Sequence, residues 1–303
     1  MAKKHILISG ASGLIGQELT KALLKKGHHV AHLDRKIRPD AKIKTFLWNV
    51  EEGTIDENCI DGIDTVIHLA GANISEKKWT DKRKKELIDS RVQSIRLIYD
   101  LIKNKPNKVN SIISASAIGY YSDRGNDLMT EDCTPNNDFL ANCCVEWEDA
   151  VDEAASMGLR VVKMRTGVVL SAIGGALPQL AKPIKLWVGS PIGDGHQWVP
   201  WIHWQDVVDM YIFAVENDEL SGVFNMVAPL PVTNEQLTKA VAKHLHKPLW
   251  APKVPAFILK MILGEMAIIV LASIRVSAEK IQQAGFTFKY PGITVALDDI
   301  YHQ

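Results

Sequence analysis

Short apolar runs alternate with longer stretches of helical periodicity through the first half of this chain. His5 to Ser9 reads as a strand, and Leu14 to Lys26 repeats its apolar positions at helical spacing until Gly27 stops it. His29 to Leu33, Lys44 to Trp48 and Thr65 to Leu69 follow as strands, and Asp81 to Ile102 as a long helix that ends before Pro106. Ser111 to Ser114 and Arg160 to Met164 are strands flanking a helix predicted over Cys144 to Met157, which Gly158 closes. Strands that alternate with helices predict parallel βαβ units and a doubly wound sheet.

After Thr166 the pattern changes. Ser171 to Trp204 is rich in Gly, Pro and Trp, Val207 to Glu216 is helical, and Val223 to Val227 is a late strand. From Pro229 the chain is helical and broken by prolines. The expected fold is α/β, a Rossmann-type doubly wound parallel sheet with a smaller, mostly helical C-terminal substrate domain. Residues 1–173 and 205–228 would form the dinucleotide-binding domain, and 174–204 with 229–303 the substrate domain. Val254 to Ile274 is apolar but carries Lys260, Glu265, Pro255 and Gly264. Two charges near the middle of a bilayer would cost about 2.5 kcal/mol or more each, so one or two amphipathic or buried helices are expected, with a lid or partner surface as the functional alternative.

Bulk properties narrow the class. The 303 residues are 47% hydrophobic and 23% charged with formal net charge +0, which suits a globular core and gives nucleic acid no broad basic face. Lys82 to Lys85, the densest basic cluster, sits beside Asp81 and Glu86 and reads as a solvated helix face. Cys59, Cys133, Cys143 and Cys144 lack zinc-site spacing, so no metal is expected. Met1 to His5 runs straight into a strand, so the expectation is a cytoplasmic protein with reduced thiols and no membrane segment.

The strongest chemical signal is Gly10-Ala11-Ser12-Gly13-Leu14-Ile15-Gly16, between a strand and a helix. Glycines there allow the turn, let backbone approach a pyrophosphate, and let helix and strand pack closely. The helix N-terminus then presents N–H groups to the anion. At the end of the second strand, Asp34 would hydrogen-bond the ribose hydroxyls of NAD, whereas Arg35 would pair with the 2′-phosphate of NADP. Lys36 and Arg38 tip the expectation to NADP, with NAD as the other candidate.

These residues, with Asp64 to Gly71 and Ser114-Ala115-Ser116-Ala117, resemble the extended short-chain dehydrogenase/reductase superfamily, the NAD-dependent epimerase/dehydratase group. Gly71-Ala72-Asn73-Ile74, Trp79-Thr80, Asp89-Ser90-Arg91, Ser116 to Tyr121, Arg165 to Leu170, Trp201-Ile202-His203 and Arg275 to Pro291 are similar to its atypical "epimerase family protein" subgroup, some of whose members were labelled cell-division inhibitors. The resemblance implies that Leu69, Ala70, Gly71 and Asn73 line the cofactor and that Ser114 to Ser116 border the nicotinamide. It also implies Arg165 and Val168 as cofactor-side residues, a C-terminal half that closes over a small-molecule substrate, and dimers as a common assembly.

The superfamily works with a serine, a tyrosine and a lysine. Ser116 matches the serine, but Leu140 and Cys144 stand where the tyrosine and lysine belong. Leucine has no proton to transfer and cysteine no fixed positive charge. Tyr120 or Tyr121 could serve as the acid if its pKa is depressed; the alternative is one tyrosine in the core and one as a pocket wall. Cys144 could be a reactive thiol at a helix start, or simply buried. Trp187, Gln197, Trp201 and His203 are the candidate substrate contacts, with core packing as the alternative for the tryptophans. Asp206 is a candidate helix cap. Two functions therefore stay open: an NAD(P)-dependent oxidoreductase or epimerase-like enzyme, and a cofactor-binding sensor or regulatory protein without turnover.

Overall fold

The computed structural model describes residues 2–37 and 43–302. Arg38, one of the charges favouring NADP, lies outside the described residues. The first half alternates strand and helix: β1 (His5–Ser9), α1 (Leu14–Lys25), β2 (His29–Asp34), β3 (Thr45–Asn49), the short β4 (Thr54–Ile55), β5 (Thr65–His68), α2 (Asp81–Asn104) and β6 (Ser111–Ala117). Then come β7 (Leu128–Met129), α3 (Phe139–Asp152), β8 (Arg160–Thr166), β9 (Val168–Leu170), α4 (Ala176–Lys185), β10 (Trp198–Val199), β11 (Trp201–His203), α5 (Trp204–Glu216) and β12 (Gly222–Met226). The C-terminal part adds β13 (Val232–Thr233), α6 (Asn234–His244), α7 (Ala256–Leu263), α8 (Ile268–Leu271), β14 (Arg275–Val276), α9 (Glu279–Gln283) and α10 (Ile293–His302).

The central sheet has eight strands in the order β12-β8-β6-β5-β1-β2-β3-β4. All its pairings are parallel except the β3–β4 edge. The strand order reverses between β1 and β5, and open parallel sheets bind ligands outside the carboxyl ends of their strands at such a switch point.

Alternation along β1 explains the two cores. Ile6 and Ile8 face a cluster with Leu19 and Leu23 of α1 and Val207, Met210 and Tyr211 of α5. Leu7 faces the other way, onto Ile95, Ile98 and Tyr99 of α2 and Trp147 and Val151 of α3. A third cluster joins Leu177 of α4, Trp201 of β11, Val241 of α6 and Leu297 of α10.

Two expectations need correction. The helix predicted from Cys144 begins at Phe139, because the Asp138 carboxylate accepts from the Ala141 N–H at 3.0 Å and caps it. The helix expected to be amphipathic or buried near Val254 is α7, none of whose residues is buried. Phe257, Met261 and Ile262 are all more than half exposed. No described helix is long and apolar enough to cross a membrane.

Candidate functional site

The glycine loop crosses the switch point at the end of β1. Gly10 has φ +73°, and a Cβ there would stand 2.8 Å from the Leu69 carbonyl carbon at the end of β5. At Gly16 a Cβ would stand 2.6 Å from the Ala11 Cα and the Gly10 carbonyl oxygen. These are backbone atoms, which cannot swing aside, so only glycine lets the two strand ends and α1 come this close. The Gly13 N–H donates to the Gly10 carbonyl at 3.1 Å and closes the turn. Gly13 offers α1 no side-chain cap, and the first turn holds no acidic residue. The helix therefore meets the cleft with uncapped N–H groups and its positive dipole end. Ser12 and Gly13 are exposed, Leu14 and Ile15 half-buried. The cradle fits a diphosphate.

Beside it, the Asp34 carboxylate accepts from the Arg35 N–H at 2.7 Å. One carboxylate oxygen is thus occupied by the adjoining backbone, while the Arg35 and Lys36 side chains are exposed. Across the cradle, Leu69 and Ala70 are half-buried and Gly71 and Asn73 exposed.

The register of β6 on β8 sets Ser116 beside Arg165 and Ser114 beside Lys163. On α3, Leu140, Cys144 and Glu148 recur every four residues and share one stripe. Leu140 Cβ and Cys144 Sγ both lie 3.5 Å from where a Cβ on Gly119 would be, so this stripe packs on the turn after Ser116. One turn on, the Glu148 carboxylate accepts from Ser116 Oγ at 2.6 Å and takes both Nε and Nη2 of Arg165 at 2.8 Å. Arg165 Nη1 reaches the Tyr121 hydroxyl at 2.9 Å, which donates to Asn225 Oδ1 at 2.7 Å. The guanidinium carbon lies 3.4 Å from the Tyr120 ring centroid.

Several assignments change on this geometry. Tyr121 is fully buried and its hydroxyl is engaged on both sides; burial pushes its pKa up, the opposite of what an acid catalyst at neutral pH requires. Arg165 is spent on Glu148 and Tyr121; burial pulls its pKa down, but hydrogen bonding and charge from Glu148 outweigh this and raise it. Its guanidinium nitrogens all bond protein groups in this structure. Ser114 is buried, with its hydroxyl donating to the Ala115 carbonyl at 2.9 Å. Cys144 is buried within α3, where loss of solvent drives its thiol pKa up, so it is no reactive thiolate. Tyr120 is half-buried and Val168 half-buried. Sequence reading overlooked Glu148. Its signal was the four-residue spacing from Cys144, together with Lys163 and Arg165 on a strand whose other central positions are apolar.

The tryptophan-rich segment also resolves. Trp201 is wholly enclosed, its Nε1 donating to the Leu230 carbonyl at 3.1 Å, so it is core and not a pocket wall. His203 is likewise enclosed. It caps α5, its Nδ1 accepting from the Gln205 N–H at 3.1 Å. Asp206, the expected cap, instead accepts from the Lys289 and Tyr290 N–H groups. Trp187 stands exposed after α4 with Lys247 Nζ 4.1 Å from its ring centroid. Gln197 does line a cavity of about 1060 Å³, with Asp123, Asn126, His196, Lys260 and Glu265 among its neighbours. Glu265 also pairs with Lys84 of α2 at 2.5 Å, tying the cavity's outer wall to that helix.

Two enclosed histidines set the acid response. Burial holds His68 down at about 3, where it bonds Ser94, and His203 at about 4. In the unfolded chain both regain ordinary values near 6.5. Below that pH the unfolded state binds more protons, so the stability these groups lend above pH 6.5 drains away as pH falls toward 3. The melting temperature is expected to drop between pH 6.5 and 4.5, above the carboxylate range, and His68→Asn should flatten the profile. A wild-type melting temperature constant over that interval would contradict this.

Among the described residues no cluster of three His, Cys, Asp or Glu side chains could hold a metal. The model of the NAD dependent epimerase/dehydratase family matches residues 6–226, and a domain of unknown function (DUF1731) matches residues 254–300. The epimerase family protein YfhF of Bacillus subtilis is 37% identical over 98% of this chain and 97% of its own length. The epimerase family protein SAOUHSC_00792 of Staphylococcus aureus is 36% identical, over 98% and 99%. The crystal structure of human epimerase family protein SDR39U1 with NADPH superposes with a TM-score of 0.86 at 28% identity, covering 98% of this chain and 99% of that one. The nucleoside-diphosphate sugar epimerase from Corynebacterium glutamicum gives 0.81 at 32% identity, and the present chain spans only 58% of its length. With the glycine cradle at the switch point and matches that run the length of the chain, this protein belongs to the NAD dependent epimerase/dehydratase family, in its epimerase family protein branch.

Proposed function

We propose that the chain binds NADP(H) and acts as an oxidoreductase or epimerase-like enzyme on a small molecule. Residues 1–173 and 205–228 would hold the cofactor, and 174–204 with 229–303 the substrate. The observation that carries this reading is the cradle: Gly10, Ser12, Gly13, Leu14, Ile15 and Gly16 surround an uncapped helix N-terminus shaped for a diphosphate. Leu69, Ala70, Gly71 and Asn73 border it across the switch point. Arg35 and Lys36 supply positive charge where a 2′-phosphate would lie, and one Asp34 carboxylate oxygen is held by its own backbone contact. The similarity to a human protein solved with NADPH supports the same choice. When bound, the nicotinamide accepts or donates a hydride.

The chain's own part is to orient the substrate and manage a proton. Ser116 is the residue placed for this, and its hydroxyl hydrogen is directed at Glu148. Ser116 is buried in this structure, so a substrate hydroxyl would have to reach in over the end of β6 to donate to its lone pairs. Tyr120, on the face of Arg165, is the remaining phenol near this point. Gln197 and the cavity beside it would take the body of the substrate. A second reading, cofactor binding without turnover, is supported by the packing against Gly119 of Leu140 and Cys144, the residues that the resemblance aligns with the proton-transfer pair.

Titration of wild type and Arg35→Ala with NADPH and NADH tests the cofactor choice. Losing one charge-assisted contact should weaken NADPH about tenfold or more and leave NADH nearly unchanged. Equal weakening of both would refute the NADP preference. NADPH oxidation with a panel of carbonyl compounds, abolished in Ser116→Ala, supports the enzyme; saturable binding with no oxidation supports the second reading.

A further inference from the structure

The segment that leaves β5 is gripped by side chains on and just before α2. The Ala72 carbonyl accepts from Arg91 Nη2 at 3.1 Å, the Asn73 carbonyl from Arg83 Nη2 at 2.7 Å, and the Ile74 carbonyl from Trp79 Nε1 at 2.9 Å. The Ala72 N–H donates to Ser90 Oγ at 2.9 Å. Arg91 is itself fixed: Nη1 donates to the Leu87 carbonyl at 2.7 Å and the guanidinium lies 5.0 Å from the Trp147 ring. Its Cγ and Cζ come within 3.2 Å of where a Cβ on Gly71 would be, so the arginine runs beneath the turn and needs a glycine above it. These contacts account for three sequence segments, Gly71 to Ile74, Trp79-Thr80 and Asp89 to Arg91, that the proposed chemistry leaves unused.

A planar trans peptide points its C=O and N–H in opposite directions. Turning the Ala72 and Asn73 carbonyls toward α2 therefore turns the N–H groups of Asn73 and Ile74 away from it. Neither N–H has a protein acceptor among the described residues. The strand order places this turn on the opposite side of β1 from Asp34 and Arg35. If those residues hold the adenosine end, the turn lies along the other half of the ligand.

We propose that Arg91 and Arg83 are positioning residues that hold the Asn73 and Ile74 N–H groups as a donor pair for an oxygen on the nicotinamide half of the dinucleotide, an assignment that rests on the NADP(H) reading above. Trp79 secures the end of the same segment. Two fixed N–H groups aimed at one oxygen need no reorganisation on binding, which is why holding them from behind matters.

The test compares NADPH with 2′,5′-ADP, which has the adenosine end and lacks the nicotinamide half. In Arg91→Met and Arg83→Met, the dissociation constant of NADPH should rise about tenfold, while that of 2′,5′-ADP stays within about twofold of wild type. Arg83→Lys, which retains a donor for the Asn73 carbonyl, should recover part of the loss. Should Arg91→Met fail to fold, Arg83→Met decides alone. Unchanged NADPH affinity, or equal loss of both ligands, overturns the positioning role while leaving the NADP(H) reading intact. A wild-type protein that binds neither ligand overturns both.

Discussion

Glu148→Ala is expected to destabilise the protein by about 3–5 kcal/mol, the usual consequence of removing one member of a buried ion pair. Glu148 is almost fully buried, as is Arg165, and the two make a two-pronged contact with 2.8 Å bonds. Without the carboxylate, the guanidinium is left in a water-poor layer with only the Tyr121 hydroxyl and the Glu131 carbonyl as partners. Ser116 loses its acceptor and Lys163, which stands 3.7 Å from Glu148, keeps only Asp152. Chemical denaturation should show the loss as a lower midpoint at constant slope. The double variant Glu148→Leu/Arg165→Met should recover much of it, because both charges are then gone and the space is filled. A single variant as stable as wild type would mean that water reaches this layer and that the network is not closed.

The second large effect is on the cradle. Gly10→Ala asks a residue with a Cβ to adopt φ +73° and to sit 2.8 Å from the Leu69 backbone. The left-handed conformation alone disfavours a non-glycine residue by roughly 1–2 kcal/mol, and the contact forces the ends of β1 and β5 apart. NADPH affinity is expected to fall about a hundredfold or more, the equivalent of about 2.7 kcal/mol or more. Ligand titration measures this directly. The matched control is Gly53→Ala, where φ is +65° but nothing lies within 4 Å; it should bind NADPH as wild type does.

The sheet was legible because parallel strands buried on both faces leave continuous apolar runs, as in Ile6 to Ile8 and Val66 to Ile67. The cradle was legible because its glycines are demanded by local backbone geometry. The site beyond it was harder to read, since its residues meet through register and helix spacing. Ser116, Arg165 and Glu148 are distant in sequence, and only the β6–β8 pairing and the α3 stripe bring them together. Trp201 and His203 misled in the opposite direction. A polar tip suggested ligand contact, but Trp201 Nε1 donates to the Leu230 carbonyl and His203 Nδ1 accepts from the first turn of α5, both inside the protein. Of the readings open for α7, burial is the one that fails: a helix this apolar is ordinarily covered, yet it presents Phe257, Met261 and Ile262 to solvent.

Calorimetric titration of the wild-type protein with NADPH is the most direct measurement. One saturable site per chain, abolished or weakened about a hundredfold in Gly10→Ala and retained in Gly53→Ala, is the predicted result. Absence of binding to wild type, or equal affinity in wild type and Gly10→Ala, would contradict the assignment of residues 10–16 as the seat of the dinucleotide.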